Sequence, residues 1–266
     1  MAQQVMAVGG RGQARPTPLR TWLVKHGPFT LSFIGLIALW EIAGRSLELL
    51  VLPPMSEIAA ALWTFLLDGT LFENLVVSLV TLFAGMAIAI AVGAVIGGAM
   101  GLSRTVESAL DVYVNAMMAA PMVAFVPLFI LLFGLGYPTR IMTVIVFAIF
   151  PIIVNAFAGL RNVDRPAVEM ARSFGASKAQ LMWQVRIPSA FPYLLAGIRL
   201  GTARGVKGLI NGEVLVTVVG LGGLVSQYGT AFTMDRLYAV IFFIIALALV
   251  LIRLVDWLSR RFVPQA

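Results

Sequence analysis

Six apolar stretches constrain the fold of this 266-residue chain more than any other feature. They cover residues 29–47, 74–102, 110–133, 140–160, 193–219 and 237–257. Each has about 20 residues or more, the length that a helix rising ~1.5 Å per residue needs to cross ~30 Å of hydrocarbon. Because 60% of the residues are apolar and only 12% are charged, the composition excludes a soluble domain. The sequence predicts an all-α membrane protein with six transmembrane helices.

The positions of the basic residues predict the orientation in the membrane, because cytoplasmic loops are enriched in Lys and Arg. Most of the 19 Lys and Arg residues lie in residues 1–28, in the turn at Arg104, in residues 161–188 and at the C-terminal end. The opposite connections contain only Arg45, Arg140 and Arg236. Both termini are therefore predicted to be cytoplasmic, and the basic N-terminus is interpreted as the flank of an uncleaved first span.

This orientation predicts four regions in the chain. They are a cytoplasmic tail over residues 1–28, a first transmembrane helix with an extracytoplasmic loop over 29–72, a core of five helices over 73–258, and a C-terminal cytoplasmic tail over 259–266. The core contains the basic cytoplasmic loop, residues 161–188.

Several classes of chemistry are excluded by the residues that the sequence lacks. The chain has no Cys and a single His, His26 in the N-terminal tail, so thiolate catalysis and Cys- or His-clustered metal sites are not expected. None of the three Lys residues follows a Gly, which excludes a phosphate-binding P-loop. The net charge is +7, but the Lys and Arg residues fall between the apolar stretches and form no basic face interleaved with aromatic residues. Nucleic acid is therefore not an expected partner. No cofactor is expected on this chain.

Glycine and proline residues mark three of the predicted spans. Glycines recur every four residues, at Gly93, Gly97 and Gly101 in the second span and at Gly197, Gly201 and Gly205 in the fifth. Such spacing places small residues on one helix face, where it serves either close helix packing or a sliding surface. Pro121 and Pro127 interrupt the third span. They predict a bent helix that either packs in that form or lines a pathway.

A basic amphipathic segment over residues 164–188 predicts two short helices around a turn. The signals are Asp164 as a cap, Pro166 in the first turn, Gly175 in a left-handed conformation, Ser177 with Gln180 as a capping box, and Pro188 as the end of the second helix. The segment is interpreted as a rigid cytoplasmic projection. The alternative is a helix that rests on the lipid headgroups.

The same segment resembles the EAA motif, which is typical of permease subunits of binding-protein-dependent ABC importers. The matching residues are Glu169, Ala171 and Gly175, followed after nine residues by Val185, Arg186, Ile187 and Pro188, with Met170 in place of the usual alanine. The stretches LPP at 52–54, PMVAFVPLFILLFGLG at 121–136 and GLGGL at 220–224 extend the resemblance to the nitrate, sulfonate and taurine branch of that family.

The resemblance implies a type I ABC importer permease fold in the inner membrane. It also implies a homodimer, two separate ATPase subunits that carry ATP and Mg²⁺, and an extracytoplasmic solute-binding protein. The coupling helix of residues 164–188 would then lie in a groove of the ATPase. Residues predicted to contact the ATPase are Glu169, Met170, Ala171, Ser173, Phe174, Gly175 and Ala176.

Four polar residues occur inside the fifth span, where charged groups facing lipid would cost roughly 2.5–3.5 kcal/mol each. Arg204, Lys207 and Asn211 share one helix face, whereas Glu213 points elsewhere. The cations either line an anion-selective cavity or pair with carboxylates of another span or subunit. As the resemblance implies, relatives in the branch usually carry small or aromatic residues near these positions, so the two cations depart from the family pattern. The predicted pathway residues are Pro121, Met122, Pro127, Arg204, Lys207, Asn211 and Glu213.

The sequence therefore predicts a transport subunit without catalytic residues, which moves a small anionic solute such as a sulfonate, nitrate or carboxylate. The alternative is a self-sufficient ion-coupled carrier or channel, which would require coupling-ion sites at interrupted helices. An intramembrane enzyme ranks third, because the polar residues at membrane depth include no nucleophile and base at productive spacing.

Overall fold

The computed structural model describes residues 18–47, 50–216 and 219–262. The first and last predicted tail residues, 1–17 and 263–266, lie outside this part of the chain. The described residues form eleven α-helices joined by short connections, without a strand. They are α1 (Pro18–Ser46), α2 (Met55–Leu67), α3 (Thr70–Leu102), α4 (Arg104–Ala119), α5 (Val126–Phe133), α6 (Tyr137–Arg161), α7 (Arg165–Ser173), α8 (Lys178–Gln180), α9 (Ile187–Val216), α10 (Gly220–Thr230) and α11 (Met234–Phe262).

The predicted all-α membrane fold is confirmed. Among the described residues, three helices are long and apolar enough to cross a bilayer: Thr70–Leu102, Tyr137–Arg161 and Met234–Leu258. Two bent pairs, α4 with residues 122–133 and residues 178–216 with α10, raise the number to five if each pair is one span. Helix α1 covers most of the predicted first span. A total of six spans and the cytoplasmic termini remain predictions.

Helix α6 lies between α3 and α9, and both neighbours approach it through glycine. A Cβ atom added to Gly93 or Gly97 on α3 would overlap Ile152 or Ala156 of α6. On α9, Gly201 and Gly208 lie equally close to α6. The glycine rows are therefore packing surfaces, where the absence of side chains allows the backbones to approach.

The same three helices supply most of the hydrophobic core. The buried side chains are Leu82, Met86 and Ala89 of α3, Val144, Ala148 and Ile152 of α6, Val206 and Leu209 of α9, and Leu251 of α11. By contrast, the outer faces expose large apolar side chains such as Val95, Val112 and Leu131. Such faces suit lipid contact, since a soluble monomer rarely exposes apolar surface of this extent.

The third predicted span, residues 110–133, is not one kinked helix. Helix α4 ends at Ala119, and the helical segments before and after the break differ in direction by 99°. Ala120 is extended at ψ 144° because the residue before a proline is forced out of the helical region, here by Pro121. Pro127 lies in the first turn of α5 and ends no helix, since its missing N–H is not required there.

The prediction for the region after the fifth span was incomplete. Helix α9 ends at Val216, and the glycine-rich stretch 220–224 begins a separate helix, α10, which the hydropathy pattern did not indicate. Helix α2 likewise lies where the sequence predicts an extracytoplasmic loop. Phe65 of α2 stacks on Tyr228 of α10 with ring centroids 5.4 Å apart.

The described residues up to Ser56 form a separate compact unit, in which the LPP stretch folds back on the C-terminal end of α1. Trp40 Nε1 donates to the carbonyl of Pro53 at 3.1 Å, and a Cβ atom on Gly44 would overlap Pro54. Glu41 accepts the backbone N–H of Ser56 at 3.0 Å and forms an ion pair with Arg45 at 2.6 Å. Pro54 restricts the backbone of Pro53 to extended conformations, which limits the directions of the carbonyl that accepts from Trp40.

The close approach of α3 to α6 makes Gly97 intolerant of any side chain. We expect Gly97→Ala to destabilise the chain by about 1–3 kcal/mol, as overpacking does in tight cores. Thermal unfolding in detergent measures this, with Gly229→Ala as the control, because a Cβ atom at Gly229 meets nothing within 4 Å. Equal stability of the two variants would contradict the packing role of the α3 glycines.

Candidate functional site

The segment predicted as a coupling helix forms a helix, a glycine turn and a second helix, as its sequence indicates. Helix α7 ends at Ser173, and Gly175 follows with φ +78°. The N–H groups of Gly175 and Ala176 donate to the carbonyls of Arg172 and Ala171 at 2.9 and 3.0 Å. These bonds close the helix end in the way typical of a left-handed glycine after a helix.

The capping signals in this segment have mixed outcomes. Ser177 and Gln180 form the predicted capping box, with bonds of 3.3 and 2.8 Å. Asp164 lies at the cap position of α7 but makes no side-chain capping bond. Pro188 does not end the second helix: a π-helical turn, Leu181–Arg186, connects α8 to α9. The wider turn leaves space for the proline ring, so the helical path continues from Lys178 to Val216.

One face of α7 is exposed and carries both apolar and charged side chains. Met170 is 61% and Phe174 86% exposed, and both Glu169 and Ser173 are exposed beside them. Ala171 and Ala176 are half-buried on the inner side. A phenylalanine exposed to this degree loses the free energy of burial, which favours a partner surface at this face.

The membrane-depth cations of α9 lie on one side of the helix but have different surroundings. Arg204 is half-buried, and its Nη1 donates to Met118 Sδ of α4 at 3.5 Å. Lys207 is exposed and, with the half-buried Asn211, lines a cavity of about 440 Å³ between α9 and α11. In the part of the chain that the structure describes, neither cation has a carboxylate at salt-bridge distance.

The candidate residues near the break of the third span lie partly at the surface. Pro121 and Pro127 are exposed, and Met122 is half-buried. Met118, the contact of Arg204, precedes them in the last turn of α4. The break therefore lies on the same side of the fold as Arg204, as a common pathway would require.

Glu213 does not join this surface, because its side chain is completely buried. Ser78 Oγ of α3 donates to its carboxylate, with distances of 2.8 and 2.9 Å to the two oxygens. The N–H of Gly222 in α10 donates to Glu213 Oε2 at 2.9 Å. The carboxylate therefore caps the N-terminus of α10, where unpaired N–H groups and the helix dipole favour a negative charge.

Two further α10 groups are paired with α3. The N–H of Leu221 donates to Ser78 Oγ at 2.9 Å, and the N–H of Gly220 donates to Asn74 Oδ1 at 3.0 Å. A Cβ atom on Gly220 or Gly222 would overlap the side chain of Glu213. Gly220 and Gly222 of the GLGGL stretch are therefore required by the buried carboxylate, whose partners sequence analysis missed.

The ionic partner of Glu213 is Arg140, which was predicted to lie in an extracytoplasmic connection. Arg140 is instead in the first turn of α6 and only 5% exposed. Its Nη1 lies 4.0 Å from Glu213 Oε1, and its guanidinium is 5.1 Å from the centre of the Tyr137 ring. The sequence placed Arg140 at the end of an apolar stretch, which is also where loops begin, so the pattern could not separate the two locations.

The chain is similar to known transport proteins over most of its length. The family "Binding-protein-dependent transport system inner membrane component" matches residues 89–264. The chain is 32% identical to the "Putative aliphatic sulfonates transport permease protein SsuC" of Escherichia coli, over 78% of this chain and 80% of that protein. It is 28% identical to the bicarbonate transport system permease protein CmpB of Synechococcus elongatus, over 94% and 95%. Identity to the formylaminopyrimidine transport permease protein ThiX of Halalkalibacterium halodurans is 30%, over 80% and 85%.

The fold is also similar to that of a solved transporter. A chain of the MetNI methionine ABC transporter, in an inward-facing conformation, superposes with a TM-score of 0.58 at 22% sequence identity. The superposition covers 76% of this chain and 98% of that one. At this identity the similarity establishes the fold alone, and the predicted type I permease fold is confirmed.

Two substitutions of Glu213 separate the contribution of helix capping to stability from the contribution of the ion pair with Arg140. Glu213→Gln retains a group that can accept from Gly222 but removes the charge facing Arg140, whereas Glu213→Leu removes both. We expect a loss of roughly 3–5 kcal/mol for Gln, since Arg140 is then buried without a counter-charge, and a further loss of about 1–3 kcal/mol for Leu, because the N–H of Gly222 also loses its acceptor. Unfolding of the purified variants measures both, and an unchanged Glu213→Gln would exclude an energetic role for Arg140.

Proposed function

Since this chain belongs to the family of inner-membrane components of binding-protein-dependent transport systems, we propose that it forms the translocation pathway for a small anionic solute. It is a multi-pass inner-membrane ABC importer permease and not an enzyme. Family membership disfavours the self-sufficient carrier or channel considered from the sequence, because a permease of this class depends on partner chains. The solute, the partners and the pathway residues constitute the proposal.

The proposed assembly contains a second copy of this chain, two ATPase subunits and an extracytoplasmic solute-binding protein. ATP and Mg²⁺ would bind to the ATPase subunits, which supply the hydrolysis. In physical terms the permease has two conformations, and each partner shifts the equilibrium by binding one of them more tightly. The lipid bilayer is the remaining partner.

The observation that carries the coupling proposal is the exposed face of α7 next to a fixed turn. Met170 and Phe174 expose apolar surface beside Glu169, and Gly175 sets the direction of the chain after them. Aromatic and methionine side chains are enriched at the centre of protein interfaces, and charged residues such as Glu169 are typical of the rim. Membership of the permease family supports ATPase contact at this face over a helix that rests on lipid.

The anionic solute is supported by the two cations of α9. Arg204 and Lys207 lie at membrane depth without a carboxylate partner in the described residues. An unpaired cation in a low-dielectric cavity attracts an anion far more strongly than in water. Two relatives are named for anions, aliphatic sulfonates and bicarbonate. The pathway is proposed to include Pro121, Met122, Pro127, Arg204, Lys207 and Asn211. Glu213 is buried within the chain and is left out.

The coupling role of the turn predicts a selective defect for Gly175→Val. A β-branched residue at φ +78° is strained by about 1–3 kcal/mol, and the strain changes the direction of α7. We expect loss of co-purification with the ATPase and of uptake. Gly69→Val is the matched control, because Gly69 has φ +79° with open space around it but lies outside the coupling segment. Equal loss of assembly in both variants would show that the defect results from lower stability of the permease and not from lost coupling.

The pathway role of the cations predicts impaired uptake without impaired assembly. Lys207→Met and Arg204→Met keep most of the apolar stem and remove the charge. We expect normal yield and melting temperature, ATPase activity that still responds to loaded binding protein, and solute uptake lowered at least tenfold, or ~1.4 kcal/mol. Arg199→Met is the control, because Arg199 is on the same helix but pairs with Asp256 at 2.9 Å. Normal uptake in both pathway variants would refute the proposal, whereas loss of yield would indicate a structural ion pair.

A further inference from the structure

Two adjoining cavities lie at the end of the helix bundle that is predicted to be cytoplasmic. The first, of about 390 Å³, lies between the ends of α3 and α6 and helix α7. Its lining is mostly polar and contains four arginines: Arg161, Arg165, Arg172 and Arg186. We name it the arginine cavity. Such a density of cations in one cleft favours an anionic occupant.

The charges of the arginine cavity are not balanced within the chain. Arg161 pairs with Glu107 of α4 at 2.8 Å. Of the residues that the structure describes, none places a carboxylate at salt-bridge distance from Arg165, Arg172 or Arg186, and Glu169 is the single acid in the lining. Three guanidinium groups in the lining therefore lack a carboxylate partner among the described residues, and a guanidinium group binds phosphate through two parallel hydrogen bonds.

The second cavity is an apolar groove of about 440 Å³ on the neighbouring surface. It runs along α3, α6 and the first turns of α9, with Ala94, Val95, Leu160, Ile187, Phe191 and Leu194 among its lining residues. Leu160 lines both cavities, and the π-helical turn Leu181–Arg186 contributes Trp183 to the groove and Arg186 to the arginine cavity. Trp183 is 71% exposed, as expected of a tryptophan at a membrane interface.

We propose that these two cavities together bind one anionic phospholipid of the cytoplasmic leaflet. The headgroup phosphate lies in the arginine cavity and accepts from Arg165 and Arg186, and an acyl chain lies in the groove beside Trp183. A free anion would need only the first cavity. The apolar groove that continues from it, at the ends of helices long enough to span the bilayer, selects a ligand with a charged head and a hydrocarbon tail.

A lipid at this position contacts the π-helical turn, through which α7 and α8 continue into α9. Because Arg165 of α7 and Arg186 of the π-helical turn line the same cavity, its phosphate would bridge these two segments. Occupancy therefore holds the coupling segment against the membrane part of the chain. The inference depends on the membrane location of the protein and not on the proposed solute.

Quenching of Trp183 fluorescence by acyl-brominated lipids tests the proposal directly. The full chain is reconstituted in nanodiscs with increasing fractions of brominated phosphatidylglycerol or brominated phosphatidylcholine. The chain has five Trp residues, so the Trp183→Phe variant supplies the signal to subtract. We expect the Trp183 component to be quenched at a much lower fraction of the anionic lipid than of the zwitterionic one.

Variants in the two cavities distinguish recognition of the lipid headgroup from binding of its acyl chain. Arg186→Gln or Arg165→Gln should lower the preference for phosphatidylglycerol about fivefold, equivalent to ~1 kcal/mol for one basic residue near anionic lipid. Arg253→Gln is the matched control, because Arg253 is exposed on α11 and lines neither cavity. Ala94→Phe fills the groove and should reduce quenching by both brominated lipids. The melting temperature of each variant verifies that it is folded.

Three outcomes would overturn the proposal. One is equal quenching by the two lipids in the unmodified chain. Another is an equal loss of preference in the Arg253→Gln control, which would indicate general surface charge. In the third, inorganic phosphate raises the melting temperature in an arginine-dependent manner while brominated phosphatidylglycerol does not quench Trp183, which would assign the arginine cavity to a free anion.

Discussion

The contact on which the rest of the structure depends is the glycine-mediated packing of α6 between α3 and α9. Lipid tails are as apolar as leucine side chains, so helices in a bilayer gain little from burying apolar surface against one another. Helix association then depends on close van der Waals contact between backbones. Such contact requires helix faces without side chains, which Gly97 and Gly201 provide. Because this packing fixes the rotation of α9, it also decides which of the polar residues of α9 are buried and which are open.

That rotation gives the charged residues of α9 two different roles. Glu213 turns inward and caps α10 together with Ser78, which joins α3, α9 and α10 through hydrogen bonds of 2.8 to 2.9 Å. Lys207 turns toward a cavity, where its charge is available to a ligand. A carboxylate and an ammonium group six residues apart on one helix thus serve structure and, as proposed, transport.

The continuity of the helical path from Lys178 to Val216 connects the coupling segment with the proposed pathway. A proline at position 188 would normally end or bend a helix, but the preceding π-helical turn accommodates it. The same helical path carries Arg204 and Lys207, and it also contains Pro192 inside α9.

Length and hydropathy alone determined the membrane class and the approximate positions of the long helices, and local capping chemistry determined the turn at Gly175, because these depend on neighbours in sequence. The 99° break at Pro121, helix α10 and the burial of Arg140 depended on tertiary structure. Pro121 indicates a bend but not its angle, which packing sets. Helix α10 is short and glycine-rich, and it is stabilised by N-terminal partners 9 to 146 residues away in sequence. Arg140 finds its counter-charge on another helix, and no local pattern encodes a contact between residues so far apart.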